Sequence, residues 1–168
     1  MRNIETKARL RDLPAARQIA AGLATQRLGV QEQVDTYFVC PHGRLKLRQI
    51  EHQPANLIWY ERPDQTAAKP SDYQLVPVSN PETLKAALAA AWGIRGVVRK
   101  RREIFLHHNV RIHLDEVEGL GPFLEFEAVL HPGLDDAAGE AQVEQLAARF
   151  AIRPEDLLPQ SYSDMLLG

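Results

Sequence analysis

The stretch Arg44-Leu45-Lys46-Leu47-Arg48-Gln49-Ile50 alternates cations with aliphatic residues at a period of two. Side chains of a β-strand point alternately to opposite faces, so Arg44, Lys46 and Arg48 share one face while Leu45 and Leu47 share the other. The pattern recurs on both sides of this segment. In Ile4 to Leu10, Glu5, Lys7 and Arg9 oppose Ile4, Thr6, Ala8 and Leu10. In Leu57 to Arg62, Ile58, Tyr60 and Arg62 fall together, and in Val97 to Phe105 Lys100 and Arg102 do. Arg111, His113 and Asp115 oppose Ile112 and Leu114, and Glu125 and Glu127 oppose Leu124 and Phe126.

One such strand would be an ordinary amphipathic strand with its charged face in water. Repetition changes that reading, because two of these faces carry only cations and one carries only carboxylates. Segregated signs suggest apposition. An antiparallel sheet with helices over its apolar face can curl until the charged faces line a common interior. Arg forks and Lys ammonium groups gathered there would neutralise a polyphosphate at close range. Carboxylates placed opposite would hold Mg²⁺ or Mn²⁺ through hard oxygen ligands, and Glu125 and Glu127, two apart on one strand, can both point inward.

The surrounding sequence supplies the covering layer. A first helix is expected from Asp12 to about Arg27, with Asp12 as cap and Pro14 in the first turn. A second begins after Asn80 and Pro81 and ends at Gly93, and a third spans about Leu134 to Phe150. Pro154 opens a short turn through Leu158. Glu61 to Pro77, rich in turn residues, reads as a loop. The expectation is one α+β domain over residues 1–168, a length sufficient for a single hydrophobic core.

Twenty Lys and Arg against 22 Asp and Glu leave a net charge of −2, so no bulk positive field would attract nucleic acid or anionic lipid. No uncharged apolar run approaches the ~18 residues needed to cross a bilayer. A lone Cys40 and an amino terminus without an apolar signal core point to the cytoplasm. Cys40 reads as a small buried filler, Trp59 and Trp92 as packing residues, His107 and His108 as solvated loop residues, and His113 as polar lining. Gly119-Leu120-Gly121-Pro122 lacks the spacing and the Lys-Ser/Thr of a P-loop and reads as a turn between strands.

Six segments taken in order resemble the CYTH superfamily, the triphosphate tunnel metalloenzymes, which include class IV adenylyl cyclases and triphosphatases. They are Asn3-Ile4-Glu5-Thr6-Lys7-Ala8-Arg9, Gly43-Arg44-Leu45-Lys46-Leu47-Arg48, Ile58-Trp59-Tyr60-Glu61-Arg62-Pro63, Val98-Arg99-Lys100-Arg101-Arg102, Arg111-Ile112-His113-Leu114-Asp115 and Gly119-Leu120-Gly121-Pro122-Phe123-Leu124-Glu125-Phe126-Glu127. Ser71-Asp72-Tyr73 and Ser161-Tyr162-Ser163-Asp164 resemble the cyclase-like branch. The resemblance implies an eight-stranded antiparallel barrel with external helices, a triphosphate substrate and Mg²⁺ or Mn²⁺. It implies Glu5, Asp115, Glu125 and Glu127 as metal-side carboxylates and Glu5, Lys7 and Asp115 as catalytic residues. Phosphate ligands would be Lys7, Arg44, Lys46, Arg48, Arg62, Lys100, Arg102 and Arg111. The activity implied is conversion of ATP to cyclic AMP and pyrophosphate, with triphosphate hydrolysis or quiet binding of a nucleotide or polyphosphate as alternatives. A second copy of the chain is a candidate partner. One position departs: the family's Glu-x-Glu-x-Lys opens here with Asn3, which offers a carbonyl oxygen without charge.

Overall fold

A computed structural model describes residues 1–167 and closes the alternating strands into a barrel. The strands are β1 (Arg2–Arg9), β2 (Gln26–Phe38), β3 (Arg44–Ile50), β4 (Ala55–Glu61), β5 (Lys69–Val78), β6 (Ile94–His107), β7 (Val110–Val117) and β8 (Gly121–Val129). Around the barrel they run β1-β5-β4-β3-β2-β6-β7-β8, all antiparallel, and β8 returns to β1 with Glu5 opposite Glu127 and Lys7 opposite Glu125.

The apolar core lies outside this wall. Helices α1 (Leu13–Leu23) and α3 (Asp136–Arg149) cover Ile4, Ile112, Leu114, Leu124 and Phe126, and α2 (Pro81–Trp92) covers Phe38, Leu45 and Leu47 through Leu84 and Leu88. Each such side chain taken fully from water contributes about 1.5–3 kcal/mol, so the aliphatic faces hold the barrel while its interior stays polar. Contact is closest at Gly139 of α3, where a Cβ would stand 2.7 Å from Ile4 and 2.9 Å from Leu130. A third cluster, Tyr37, Val98, Val117, Phe123 and Tyr162, fills one end of the barrel. Tyr162 opens the C-terminal helix α4 (Tyr162–Leu167), which brings it there.

The helix caps follow the sequence. Asp12, Asn80 and Asp135 each accept a hydrogen bond from the backbone N–H three residues on. Gly93 ends α2 at a φ of 86°, in the left-handed region that favours glycine.

Two boundaries differ from the sequence reading. The first helix stops at Leu23 instead of Arg27 because Ala24 turns extended and the Thr25 N–H donates to the Leu106 carbonyl of β6. The stretch read as a loop from Glu61 to Pro77 contains β5. Its prolines disguise it, yet Pro70 lies where only β1 pairs and Pro77 where only β4 pairs, so each has an unpaired side for its missing N–H.

Smaller assignments also shift. Cys40 is only partly buried, with its thiol 3.3 Å from the Gly43 carbonyl. Trp92, at the exposed end of α2, is half exposed, whereas Trp59 packs beneath α2 and donates to the His42 carbonyl. His107 is not a solvated loop residue: it ends β6 with Nδ1 2.8 Å from the Leu23 carbonyl. His108 is exposed in the following turn, as expected, and Gly119 and Gly121 make the β7–β8 turn at positive φ. No helix among the described residues is long and apolar enough to cross a membrane.

Candidate active site inside the barrel

Strand alternation aims the charged faces at a cavity of about 390 Å³ along the barrel axis. That volume falls within the range of small-molecule sites. Asn3, Glu5 and Lys7 reach it from β1, Lys46 and Arg48 from β3, Lys100 and Arg102 from β6, Arg111 and His113 from β7, and Glu125 and Glu127 from β8. Arg62, just past β4, joins them. The plug side chains Val98 and Phe123 each stand two residues from a charged lining residue, Lys100 and Glu125, and Tyr37 stands two from the buried Asp35. Leu28, Ile50, Leu75 and Ile104 line the same cavity on the strand ends away from that plug.

The cations are held by internal counter-ions. Arg102 grips Asp115 with two hydrogen bonds of 2.7 and 2.6 Å, and Tyr162 donates its hydroxyl to the same carboxylate at 2.7 Å. Asp115 is fully buried and does not line the cavity, so its charge positions Arg102. Asp35 of β2 plays the corresponding part for three cations. Arg48 binds it at 2.7 and 2.6 Å, Lys46 lies at 3.1 Å and Lys100 at 3.7 Å. Burial would raise the Asp35 carboxyl, but Arg48, Lys46 and Lys100 outweigh it and hold it well below the usual range. Burial lowers Lys100 well below the ordinary lysine value, with Arg102 and Arg48 adding to the effect.

The carboxylates divide into two behaviours. For Glu125, burial is outweighed by Lys7 at 3.2 Å and Arg102 at 3.4 Å, which keep it ionised. Glu127 and Glu5 are instead raised, first by burial and in both cases also by the Glu125 charge. Glu5 is tied to Arg62 at 3.2 Å.

His113, Glu125 and Glu127 bring donor atoms within 4.8 Å of one another, the one such cluster among the described residues. Two oxygens or nitrogens on one divalent ion at about 2.1 Å each stand no more than about 4.2 Å apart. His113 Nδ1 is 3.4 Å from one Glu125 oxygen and 4.0 Å from one Glu127 oxygen, so the donors fit one ion with little movement. The Asn3 side-chain oxygen, which lines the same cavity, is buried without a hydrogen-bond partner. A buried carbonyl left unsatisfied is costly, and a cation would satisfy it.

The candidate residues thus separate. Lys7, Lys46, Arg48, Arg62, Lys100, Arg102, Arg111, Glu5, Glu125 and Glu127 meet in one chamber. Arg44 does not; its guanidinium lies 2.9 Å from Asp64 and 3.1 Å from Asp164, by α4. Asp115 is withdrawn behind Arg102, and Glu5 stands outside the three-residue donor cluster. Charge patterning missed Asp35, because β2 presents Gln31, Gln33, Asp35 and Tyr37 inward rather than a run of one sign. Alternation of these four polar residues with Val34 and Thr36 was the available signal. The nearness of His113 to Glu125 depends on the pairing of β7 with β8, which no local spacing gives.

The chain belongs to the CYTH domain family, whose model matches residues 1–162. The PH1012 protein of Pyrococcus horikoshii OT3 superposes with a TM-score of 0.87 at 27% identity, over 96% of this chain and 98% of that one. A candidate adenylate cyclase of Vibrio parahaemolyticus has a TM-score of 0.79 at 19% identity, over 99% and 98%. HpAC1 of Hippeastrum, a candidate adenylyl cyclase with a dominant triphosphatase activity, has a TM-score of 0.66 at 16% identity, over 98% and 94%. No curated protein matches the chain.

Proposed function

We propose that the protein is a metal-dependent enzyme of triphosphates that cleaves at the phosphorus nearest the organic group, as an adenylyl cyclase does. The observation that carries this reading is the axial order of charge. Along β8, Glu125 follows the plug residue Phe123 and Glu127 lies farther out. Along β6, Lys100 follows Val98, then Arg102 and the apolar Ile104. A triphosphate entering terminal phosphate first would have Lys7, Lys100 and Glu125 at the plug end and the facing pair Glu5 and Glu127 beside its outer phosphorus.

Within this arrangement Lys46, Arg48, Lys100 and Arg102 bind the two inner phosphates and neutralise the departing pyrophosphate. Asp35 and Asp115 fix those cations, acting as positioning residues. Lys7, between Glu125 and the Tyr162 ring, lies where it can donate to the bridging oxygen as that bond breaks. The ribose 3′ oxygen forms the new bond to the α-phosphorus, and its proton passes to Glu5, whose raised proton affinity suits a base. His113, Glu125, Glu127 and the Asn3 carbonyl would hold a divalent ion, which supplies Lewis-acid stabilisation of phosphate charge when bound.

A second reading, hydrolysis of the terminal phosphate, draws support from the aliphatic side chains of Leu28, Ile50, Leu75 and Ile104, which offer a nucleobase no hydrogen bonds and leave Gln31, Asn56 and Tyr73 as the polar groups on that part of the wall. The deciding experiment incubates the protein with ATP and with tripolyphosphate in Mg²⁺ or Mn²⁺ and resolves the products by anion exchange. Cyclic AMP with equimolar pyrophosphate supports the first reading. Orthophosphate from both substrates supports the second, and tight binding without turnover overturns both.

A further inference from the structure

We infer that His113 is a metal ligand and that its nitrogen makes this site select Mn²⁺ and related transition ions over Mg²⁺. The inference rests on the metal site proposed above and concerns which ion it takes.

His113 projects from β7 directly opposite Glu125 and is 4% exposed. Its Nδ1 lies within 4.0 Å of oxygens from both Glu125 and Glu127. The Asn3 side-chain oxygen, buried and without a partner, lines the same cavity. Asn3 stands two residues from Glu5, and Glu5 pairs with Glu127, so strand alternation puts the Asn3 side chain on the Glu127 side of the chamber. The donors brought together are one imidazole and two carboxylates.

Such a set is poorly matched to Mg²⁺. That ion prefers oxygen donors, near-ideal octahedral geometry and retained waters. Imidazole suits first-row transition ions, whose affinity for a mixed nitrogen and oxygen site rises from Mn²⁺ through Co²⁺.

The test is made on the full chain without substrate. Wild-type protein, His113→Asp and Glu127→Gln are titrated with Mn²⁺ and with Mg²⁺ by calorimetry. The Mn²⁺-loaded proteins are then examined by pulsed electron paramagnetic resonance for coupling to a directly bound ¹⁴N. Wild type should show that coupling, and His113→Asp should lose it while narrowing the Mn²⁺ over Mg²⁺ preference about tenfold or more. Glu127→Gln should weaken both ions, locating them at this site. Mn²⁺ bound and Glu127-dependent but without nitrogen coupling would overturn the role of His113 and leave the metal site standing. Absence of Mn²⁺ binding would overturn both. The wild-type spectrum decides the point even if His113→Asp fails to fold.

Discussion

Arg102 and Asp115 face each other across β6 and β7 and form a two-pronged ion pair at 2.7 and 2.6 Å, with Asp115 sealed from solvent by Tyr162. Two charges with no water between them are strongly interdependent. Removing Asp115 leaves the buried Arg102 only its 3.4 Å contact with Glu125, a loss on the order of 3 kcal/mol. Asp115→Asn should therefore lower stability on that order in urea denaturation and raise KM for triphosphate more than it lowers kcat, because Arg102 loses its anchor. An unchanged KM with a large fall in kcat would instead place Asp115 in direct contact with the reacting groups.

Glu125 and Glu127 should respond differently to amide substitution. Glu125 is the counter-ion of Lys7 and Arg102, so Glu125→Gln leaves two buried cations short of charge and should cost on the order of 3 kcal/mol. Burial and the neighbouring Glu125 already disfavour ionised Glu127, so Glu127→Gln should hold or raise the melting temperature. Both should reduce metal-dependent turnover about tenfold or more at limiting metal. Equal melting shifts in the two variants would contradict this division.

Phosphate binding offers a contrast between buried and exposed cations. Arg48→Ala removes a charge-assisted contact worth about 1.5–3 kcal/mol, an affinity loss of about ten- to a hundredfold. Arg149→Ala, exposed on α3, should leave affinity unchanged. Calorimetric titration with tripolyphosphate measures both, and comparable losses would show that phosphate binds outside the barrel.

Lys69 gives a pH signature. It is buried, with its ammonium 2.6 Å from the Gln65 carbonyl and 3.3 Å from that of Pro159, and burial followed by Arg62 lowers its pKa to about 8. The unfolded chain keeps this proton to about pH 10.4. Between those values the unfolded state binds more protons, so this residue's contribution to stability rises with pH. Lys69→Met should flatten the rise in denaturation midpoint between pH 8 and 10 relative to the wild-type protein. Parallel profiles would contradict the assignment.

The faces of the strands were fixed locally. A period of two in Arg44-Leu45-Lys46-Leu47-Arg48 and in Leu124-Glu125-Phe126-Glu127 decides which side chains share a face, whatever the strand pairs with. The helix caps Asp12, Asn80 and Asp135 are local in the same sense, since each binds an N–H three residues away. Strand β5 escaped because its prolines are tolerated only through pairings made with β1 and β4. Tertiary structure alone decided which charges meet. Asp35 gathers Lys46, Arg48 and Lys100 from two other strands, and Tyr162 arrives from the far end of the chain to seal Asp115. Register and closure of the barrel set these contacts through the pairing of residues more than 120 apart in sequence, such as Glu5 and Glu127, and no local period encodes that distance.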